Sequence, residues 1–495
     1  MTTKPCHDYL YDAAAVRTID VQAARLLGMP TFVLMQRAGA AAYAWLRRRW
    51  PQAARLDVFC GLGNNGGDGY ILARQALQDG LAVRVLQVGD GGRLRGDAAL
   101  AAQEYRQAGG LVERFQPGIA LQGEVLVDAL FGTGLARPLE GEWAAAVAAL
   151  NAGGRPVLAL DLPSGLHADT GTALGEAVTA SATITFIAYK SGLLTGAGPA
   201  LSGELVLADL GVPAAAFGGV APRAAIIGEE LVRAALPRRP RDAHKGRHGH
   251  VLVIGGDYGM AGAARLAAEA AGRVGAGLVT VATRAEHCAG LLAARPEAMC
   301  RGVASAADLE PLLQRATVVV LGPGLGQGDW GRALFEAALR FPGSLLLDAD
   351  ALNLLARQPR RNPRWVLTPH PGEAARLLGC SVAEVQADRY AAAVRLSERY
   401  GGVVVLKGAG TIVQASAALP WVCRAGNPGM GSGGMGDVLS GVIGGLLAQG
   451  LAAQTAAAVG VQVHGQAADR AAAAGERGLL AMDLMPNLRE LVNPA

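Results

Sequence analysis

Gly426-Asn427-Pro428-Gly429-Met430-Gly431-Ser432-Gly433-Gly434-Met435-Gly436-Asp437 is the stretch of this chain whose residue types point most directly to chemistry. Six of its twelve positions are glycine. A packed core has little use for them, because each costs backbone entropy and brings no side chain. A backbone that wraps closely around phosphate oxygens does use them, since bare N–H groups then converge on negative charge. The apolar run 438–447 follows at once, so the loop empties into a helix N-terminus, where anions are favoured. Asp437 stands at that junction, placed to take a proton from a hydroxyl. The pattern is that of a phosphoryl-transfer site.

Phosphoryl transfer needs charge neutralisation, in-line positioning and a base for the attacking hydroxyl. The amides of Gly433, Gly434, Met435 and Gly436 can supply the first, Mg²⁺ held partly by Glu373 the second, and Asp437 the third. Other loops of the same half carry suitable groups. Gly255-Gly256-Asp257-Tyr258-Gly259-Met260-Ala261-Gly262-Ala263-Ala264 and Gly322-Pro323-Gly324-Leu325-Gly326 bring backbone close to a ligand. Asp348-Ala349-Asp350 and Thr368-Pro369-His370-Pro371-Gly372-Glu373 supply carboxylates and an imidazole, and Lys407-Gly408-Ala409-Gly410-Thr411 a cation with small residues. Taken singly, His370 also reads as a structural histidine and Lys407 as a surface cation.

A second set of loops lies in the first half. Gly61-Leu62-Gly63-Asn64-Asn65-Gly66-Gly67-Asp68-Gly69 satisfies G-x-G-x-x-G between an expected strand and an expected helix over 70–77, the place for a pyrophosphate. A hydride-transfer dehydrogenase would also want an acid at the end of the next strand, and Asp90 comes several residues late. Asp128-Ala129-Leu130-Phe131-Gly132-Thr133-Gly134 and Asp161-Leu162-Pro163-Ser164-Gly165 follow at later strand ends. Asn65, Asp128 and Ser164 offer hard oxygen atoms that suit a monovalent or other hard cation better than zinc, and Asp161 would face the ligand as an acid/base group. Each aspartate alone reads equally well as a loop or helix cap.

The elements that must position these loops read as short strands rich in Val, Leu and Ile alternating with alanine-rich amphipathic stretches, as in parallel sheets covered on both faces. Strands are expected at 56–60, 82–88, 125–130, 156–160, 183–187 and 204–207, then at 251–254, 278–282, 318–321, 345–348, 365–367 and 403–406. Between 213 and 247 the pattern lapses into Ala, Pro and Arg, read as a linker in which Lys245 could also neutralise phosphates. The fold class is therefore α/β in two domains, 1–224 and 225–495.

A chain of 495 residues exceeds one ordinary core. With 51% apolar and 17% charged residues, it reads as globular with large buried sheets. A net charge of +4 and 5% aromatic residues argue against nucleic acid. The cysteines Cys6, Cys60, Cys288, Cys300, Cys380 and Cys423 are scattered without a C-x-x-C pair, which fits reduced thiols. Residues 1–8 lack the apolar core of a signal peptide. The stretch 438–463 is broken by glycines and by Gln449, Gln454 and Gln462 and reads as two buried helices, not a membrane span. A cytoplasmic protein is expected, and alanine-rich helices point to a homo-oligomer.

The first-half motifs Asn64-Asn65-Gly66-Gly67-Asp68-Gly69, Asp128 to Gly134, Asp161 to Gly171 and Lys190-Ser191-Gly192-Leu193 resemble, in combination, the NAD(P)H-hydrate epimerase family over residues 10–215. That resemblance implies a Rossmann-like three-layer αβα domain that interconverts the R and S epimers of hydrated NADH and NADPH (NADHX and NADPHX). It also implies a K⁺ site at Asn65, Asp128 and Ser164. Its substrate contacts fall at Asn64, Asn65, Gly66, Gly67, Asp68, Gly132, Thr133, Gly134, Leu135, Ala136, Arg137, Pro138 and Asp161, with Asp161 catalytic.

The second half resembles the ribokinase-like superfamily, and within it the ADP-dependent NAD(P)H-hydrate dehydratases, over residues 225–495. The resemblance implies phosphorylation of the hydrate hydroxyl by ADP, then loss of phosphate to restore the dihydropyridine. It places the hydrate at Ala263, Gly324, Gly326, His370 and Asp437, with Asp437 catalytic, and the adenine nucleotide at Lys407, Gly408, Ala409, Gly410, Thr411 and Gly436. Gly431 stands where alanine is common in that family. Both resemblances occur in one chain in the order of the fused bacterial repair enzymes. A ribokinase-type small-molecule kinase and a nicotinamide-nucleotide-sensing module are the alternatives. The kinase predicts a stable phosphorylated product, and the sensing module predicts no epimer exchange.

Overall fold

The structure, a computed structural model, describes residues 5–494, without the side chains of Pro5 and Cys6. The reading of the first eight residues therefore rests partly on residues outside those described. Contacts divide the chain into two compact units, Met1–Ala225 and Ile226–Ala495.

The first unit is built on a parallel sheet of β1 (Arg55–Cys60), β2 (Ala82–Gln87), β3 (Leu111–Arg114), β4 (Val125–Ala129), β5 (Val157–Leu160), β6 (Ala182–Phe186) and β7 (Glu204–Ala208). Their order is β3-β2-β1-β4-β5-β6-β7, so the winding reverses between β1 and β4, where open α/β sheets bind ligands. Successive side chains of a strand point to opposite faces, and both faces here are buried. Val58, Val125, Val127, Leu158 and Leu160 join one apolar cluster, whereas Phe59, Leu126, Val157 and Ala159 join another. That is why these strands read as continuous apolar runs. A small ribbon pairs Tyr9–Tyr11 with Tyr189–Lys190 and with Ala224–Ile226, in register Tyr11↔Lys190 and Leu10↔Ala224. It fixes Lys190 at the edge of the site.

The second unit holds β8 (His250–Ile254), β9 (Leu278–Thr283), β10 (Met299–Gly302), β11 (Val318–Leu321), β12 (Ser344–Leu347), β13 (Trp365–Leu367), β14 (Val403–Leu406), β15 (Ile412–Ala415) and β16 (Trp421–Val422). They lie in the order β10-β9-β8-β11-β12-β13-β14-β15-β16, parallel as far as β14 and antiparallel beyond it. The expected pair of buried helices is present as Met435–Ala448 and Ala453–Ala471. No described helix is long and apolar enough to cross a membrane.

Glycines let the helix Met435–Ala448 lie directly on its neighbour Ala261–Arg273. A Cβ at Gly441 would stand 2.0 Å from the carbonyl oxygen of Ala267, and one at Gly445 would stand 2.7 Å from that of Ala271. Gly441→Ala is therefore expected to destabilise the second unit by about 1–2 kcal/mol, because overpacking outweighs the helix-propensity gain. A lowered denaturant midpoint checks this, and an unchanged midpoint would mean that the two helices separate freely.

Several local expectations are corrected. The helix placed at 70–77 begins at Asn64 and runs to Gln78, so the paired asparagines occupy its first turn and are not in a loop. Leu111–Arg114, Met299–Gly302, Ile412–Ala415 and Trp421–Val422 are strands that the apolar-run criterion passed over, since edge and hairpin strands are short or half polar. The presumed linker carries the strand Ala224–Ile226 and the helix Glu229–Ala235. Lys245 is exposed at the N-terminal end of β8, the edge opposite the carboxyl ends that carry the site, so its charge does not serve phosphates there. Cys288 and Cys300 are not scattered in space. Their sulfurs lie 3.0 Å apart as a hydrogen-bonded thiol pair.

Candidate functional site

In the first unit the loops after β1, β4 and β5 open onto a cavity of about 900 Å³, within the usual range for a small-molecule site. Asn64, Asn65, Asp68, Gly132, Thr133, Gly134, Leu135, Arg137, Pro138 and Asp161 line it. Gly66, Gly67 and Ala136 do not. A Cβ at Gly66 would meet the Gly61 carbonyl at 2.2 Å, and one at Gly67 would meet Met35 Sδ at 2.5 Å. These glycines allow the helix Asn64–Gln78 to pack against its surroundings.

Asp161 follows β5 with φ 67°, a left-handed backbone that costs a non-glycine residue about 1–2 kcal/mol and persists where the surroundings over-determine it. Its Oδ1 pairs with the ammonium of Lys190 and accepts from Thr185 Oγ1 at 3.3 Å. Lys190, almost fully buried, also donates to Thr185 Oγ1 at 3.0 Å and to the Phe186 carbonyl at 2.8 Å. The other oxygen, Oδ2, faces Gly132, where a Cβ would come within 2.9 Å of it and 3.6 Å of Asn65 Cβ. One carboxylate oxygen is thus anchored and the other is open to the cavity.

Asp128 and Ser164 meet as expected. Ser164 Oγ donates to Asp128 Oδ1 at 2.6 Å, and its amide donates to Oδ2 at 2.8 Å. Burial pushes the Asp128 carboxyl up to about 6, against the bonds from Ser164 and Leu130 that lower it. Asn65 is buried, and neither its Oδ1 nor its Nδ2 has a hydrogen-bond partner among the described residues. An orphaned buried amide implies a ligand, water or ion.

Sequence reasoning passed over Asp20, Asp97, Arg17 and Arg93, which also line the cavity, and quoted Lys190 without a role. Burial raises the Asp68 and Asp20 carboxyls, Asp68 well above the ordinary range, with Asp161 adding to both and Lys190 opposing. Environments that push neighbouring carboxyls apart separate proton donors from acceptors. Here the lysine-paired Asp161 stands beside two carboxyls whose proton affinity burial raises. Asp20 sits in the amphipathic helix Ala13–Leu26, where no local motif marks it.

In the second unit, the ends of three neighbouring strands each contribute one charged group. Asp348 follows β12, Glu373 lies in the helix Pro371–Leu378 after β13, and Lys407 follows β14. Lys407 Nζ stands 2.9 Å from Asp348 Oδ1 and 3.9 Å from Glu373 Oε2, and Ser440 Oγ donates to Asp348 Oδ2 at 2.8 Å. Ala349, between Asp348 and Asp350, has φ 47°, a left-handed backbone that strains a non-glycine residue. Burial favours neutral Lys407, but Asp348 and Glu373 overrule it and hold its pKa above the ordinary value.

Asp437 lies in the first turn of the helix Met435–Ala448. Burial, then the charge of Asp348, pushes its carboxyl up to about 7 against Lys407, and Glu373 adds to the rise. Glu373 likewise reaches about 7, chiefly through burial. Among the described residues, no protein acceptor takes the amides of Gly433, Gly434, Met435, Gly436 or Asp437. By contrast, the amides of Gly426 and Gly429 are taken up by Asp469 and Asn427. A Cβ at Gly433 would meet nothing within 4 Å. The cradle is therefore open, and it ends on a carboxylate poised near neutrality.

His370 caps its helix, Nδ1 accepting from Gly372 N at 3.0 Å, while its own amide donates to Glu373 Oε2 at 2.8 Å. Burial, then Lys407 and Arg376, lowers its pKa, so a neutral ring presents Nε2–H, 3.5 Å from Glu373 Oε1. Gly324 lies against Ala263, its Cβ position 3.2 Å from the alanine methyl, and the Gly326 amide is bound by Asp350. Lys407 points its ammonium into the carboxylate cluster, and a Cβ at Gly436 would stand 3.3 Å from it. Gly408, Ala409, Gly410 and Thr411 form the turn beyond, closed by Thr411 Oγ1 to Gly408 O at 3.0 Å. Buried Arg389 pins that turn through the carbonyls of Leu406 and Lys407. The sequence offered no signal for Arg389 or Ser440. Among the described residues no group of three His, Cys, Asp or Glu side chains is arranged to hold a metal ion by itself.

Residues 251–489 match the family described as NAD(P)H-hydrate dehydratase, and residues 31–192 match that described as YjeF-related protein N-terminus. The bifunctional NAD(P)H-hydrate repair enzyme of Coxiella burnetii is 52% identical over 98% of this chain and 99% of its own length. That of Escherichia coli K12 is 47% identical over 97% of this chain and 93% of its own. The ADP/ATP-dependent NAD(P)H-hydrate dehydratase of Bacillus subtilis, co-crystallised with ATP and Mg²⁺, superposes with a TM-score of 0.50 at 30% identity, covering 55% of this chain and 98% of its own.

Proposed function

This chain belongs to the bifunctional NAD(P)H-hydrate repair enzymes, and we propose that its two clusters of strand-end residues divide that work between them. The first unit interconverts the R and S epimers of hydrated NADH and NADPH. The second dehydrates the S epimer at the expense of ADP, giving AMP and phosphate. The observation that carries this reading is the open row of amides from Gly433 to Asp437, which ends on a carboxyl held near neutrality beside Lys407.

In the first unit, Asp161 Oδ2 exchanges a proton with the C6 hydroxyl of the hydrate, a carbon that also bears the ring nitrogen. The ring-nitrogen lone pair expels the C6 oxygen as water on protonation, leaving C6 planar in an iminium. Water returning to either face forms the new C6–O bond as it gives a proton to Asp161, the proton then passing back to Asp68 through solvent. Lys190 pairs with Asp161 and orients it, and Asp68, whose carboxyl burial raises well above its ordinary value, can donate to the hydroxyl as it leaves. Asn65, Asp128 and Ser164 fit a hard monovalent cation, since the Asn65 amide is buried without a partner and all three offer oxygen. They would hold K⁺, which supplies fixed positive charge beside the leaving oxygen.

In the second unit, Asp437 takes the proton of the C6 hydroxyl while that oxygen attacks the terminal phosphorus of ADP and AMP departs. The phosphorylated oxygen then leaves as phosphate, pushed by the ring nitrogen lone pair, and loss of the C5 proton restores the dihydropyridine. The free amides cradle the transferred phosphoryl group, and Lys407 offsets its charge. Glu373 fits Mg²⁺, which commonly takes one or two carboxylates plus substrate phosphates and would neutralise phosphate oxygens. The hydrate lies against Ala263, Gly324, Gly326 and His370, with the adenine nucleotide on residues 407–411 and Gly436. We place the protein in the cytoplasm because none of its described cysteines is in a disulfide. Self-association is assigned to exposed apolar residues such as Leu100 on the helix Gly96–Gln107, whose alanines Ala98, Ala101 and Ala102 are themselves buried.

The test is incubation with mixed hydrate epimers, Mg²⁺ and ADP or ATP, following phosphate and the absorbance of reduced nicotinamide. Full conversion is expected. Conversion of half would leave only the dehydratase standing, a stable phosphorylated product would indicate a kinase, and no conversion would refute both activities.

A further inference from the structure

We propose that Arg93 and Trp143 form the adenosine end of the first unit's cavity, and that Arg93 makes its epimerase favour the hydrate bearing a ribose 2′-phosphate, NADPHX, over NADHX. This rests on the epimerase reading and names its substrate preference. In a dinucleotide-binding sheet of this winding, the residues just beyond the second strand meet the adenosine ribose. An acid there binds the free 2′-hydroxyl, and an arginine accommodates a 2′-phosphate.

After β2 this chain runs Val88-Gly89-Asp90-Gly91-Gly92-Arg93-Leu94-Arg95. Asp90 does not line the cavity, and its Oδ1 accepts the Gly92 amide at 3.0 Å. Nor is Arg95 available, since it donates to the carbonyls of Gly92 and Leu94 at 2.7 Å each. Arg93 differs from both. It lines the cavity, is exposed, and its guanidinium has no hydrogen bond or ion pair among the described residues, only its backbone amide being bonded, to Asp90 O.

Trp143 lines the same cavity and packs edge-on to Phe131 at 4.8 Å. Its ring lies 2.9 Å from the Cβ position of Gly89, whose φ of 82° begins the turn toward Arg93. An aromatic surface for an adenine ring thus adjoins a free guanidinium. From β5, which carries Asp161, to β2 is three strand spacings, roughly 14 Å at the usual separation, the reach of an extended dinucleotide. A guanidinium matches a phosphate monoester dianion through paired N–H bonds that a hydroxyl cannot reciprocate. Arg17 and Arg137 also line the cavity without partners among the described residues, from the helix Ala13–Leu26 and the loop after β4. They are placed for the pyrophosphate that both hydrates share.

The experiment measures epimerisation of purified R-NADHX and R-NADPHX by the full chain without ADP, separating the epimers chromatographically, for the wild type, Arg93→Gln and Arg17→Gln. Arg93→Gln is expected to raise KM for NADPHX by about tenfold, the size of one lost charge-assisted contact, with kcat unchanged and KM for NADHX within about twofold. Arg17→Gln is expected to raise KM for both hydrates alike. Equal effects of Arg93→Gln on the two hydrates, or none on either, would overturn the assignment. A wild type that epimerises neither hydrate would overturn the epimerase reading itself, and this inference with it.

Discussion

Asp437→Asn is expected to lower the rate of dehydration by about 10³-fold, the usual worth of a positioned general base, while exchange between the R and S hydrates continues at the wild-type rate. The amide is isosteric with the carboxyl and still fits the first turn of Met435–Ala448, but it cannot accept the hydroxyl proton. The open amides at 433–437 and Lys407 are untouched, so nucleotide binding is expected to persist and the loss to fall on kcat. At its value of about 7 the native carboxyl is basic enough to take a proton, and about half of it is ionised and ready to do so at neutral pH. Phosphate release with the pure S epimer is the measurement. A variant that keeps its dehydratase rate would remove Asp437 from the mechanism, and one that loses both activities while folded would contradict separate sites.

Asp161→Asn is expected to have the mirror effect. Epimer exchange falls by about 10³-fold, dehydration of pure S hydrate is unaffected, and mixed hydrates halt near half conversion. A second consequence follows from burial. Lys190 has 1% of its side chain exposed, and breaking a buried pair by removing one partner costs about 3–5 kcal/mol, so the first unit also loses stability. Thermal melting separates the two effects: the rate must be lost at temperatures where the first unit is still folded. Retained exchange under those conditions would show that the open Oδ2 beside Gly132 is not the acting oxygen.

Much of this molecule was legible because its signals are local. A strand buried on both faces must be continuously apolar, and β1, β4, β5, β8, β11 and β14 were found on that ground within a residue or so at each end. Half-polar edge strands such as Leu111–Arg114 carry no such signal, because their character comes from having a neighbour on one side only. The start of the helix at Asn64 was missed for a related reason. Asn65, Gly66 and Gly67 look like turn residues, yet the glycines are there to admit Gly61 and Met35 at close range, which is a matter of packing. The loops at strand ends announced Asp161, Asp437 and Glu373, since glycine and carboxylates together have few structural uses.

What the amino-acid order determined was the inventory: which residues can donate, accept or hold charge, and at which strand ends they emerge. What only the tertiary structure decided was which of them meet. Lys190 reaches Asp161 across 29 positions, and Ser440 reaches Asp348 across 92, because strand order and helix packing, not spacing, bring them together. Burial then set the protonation of Asp437, Glu373 and Asp68, and left the Asn65 amide without a partner. The physical reason is range. Backbone preference and apolar periodicity act between neighbours along the chain, whereas desolvation and charge pairing depend on everything within a few ångströms in space, which exists only once the chain has folded.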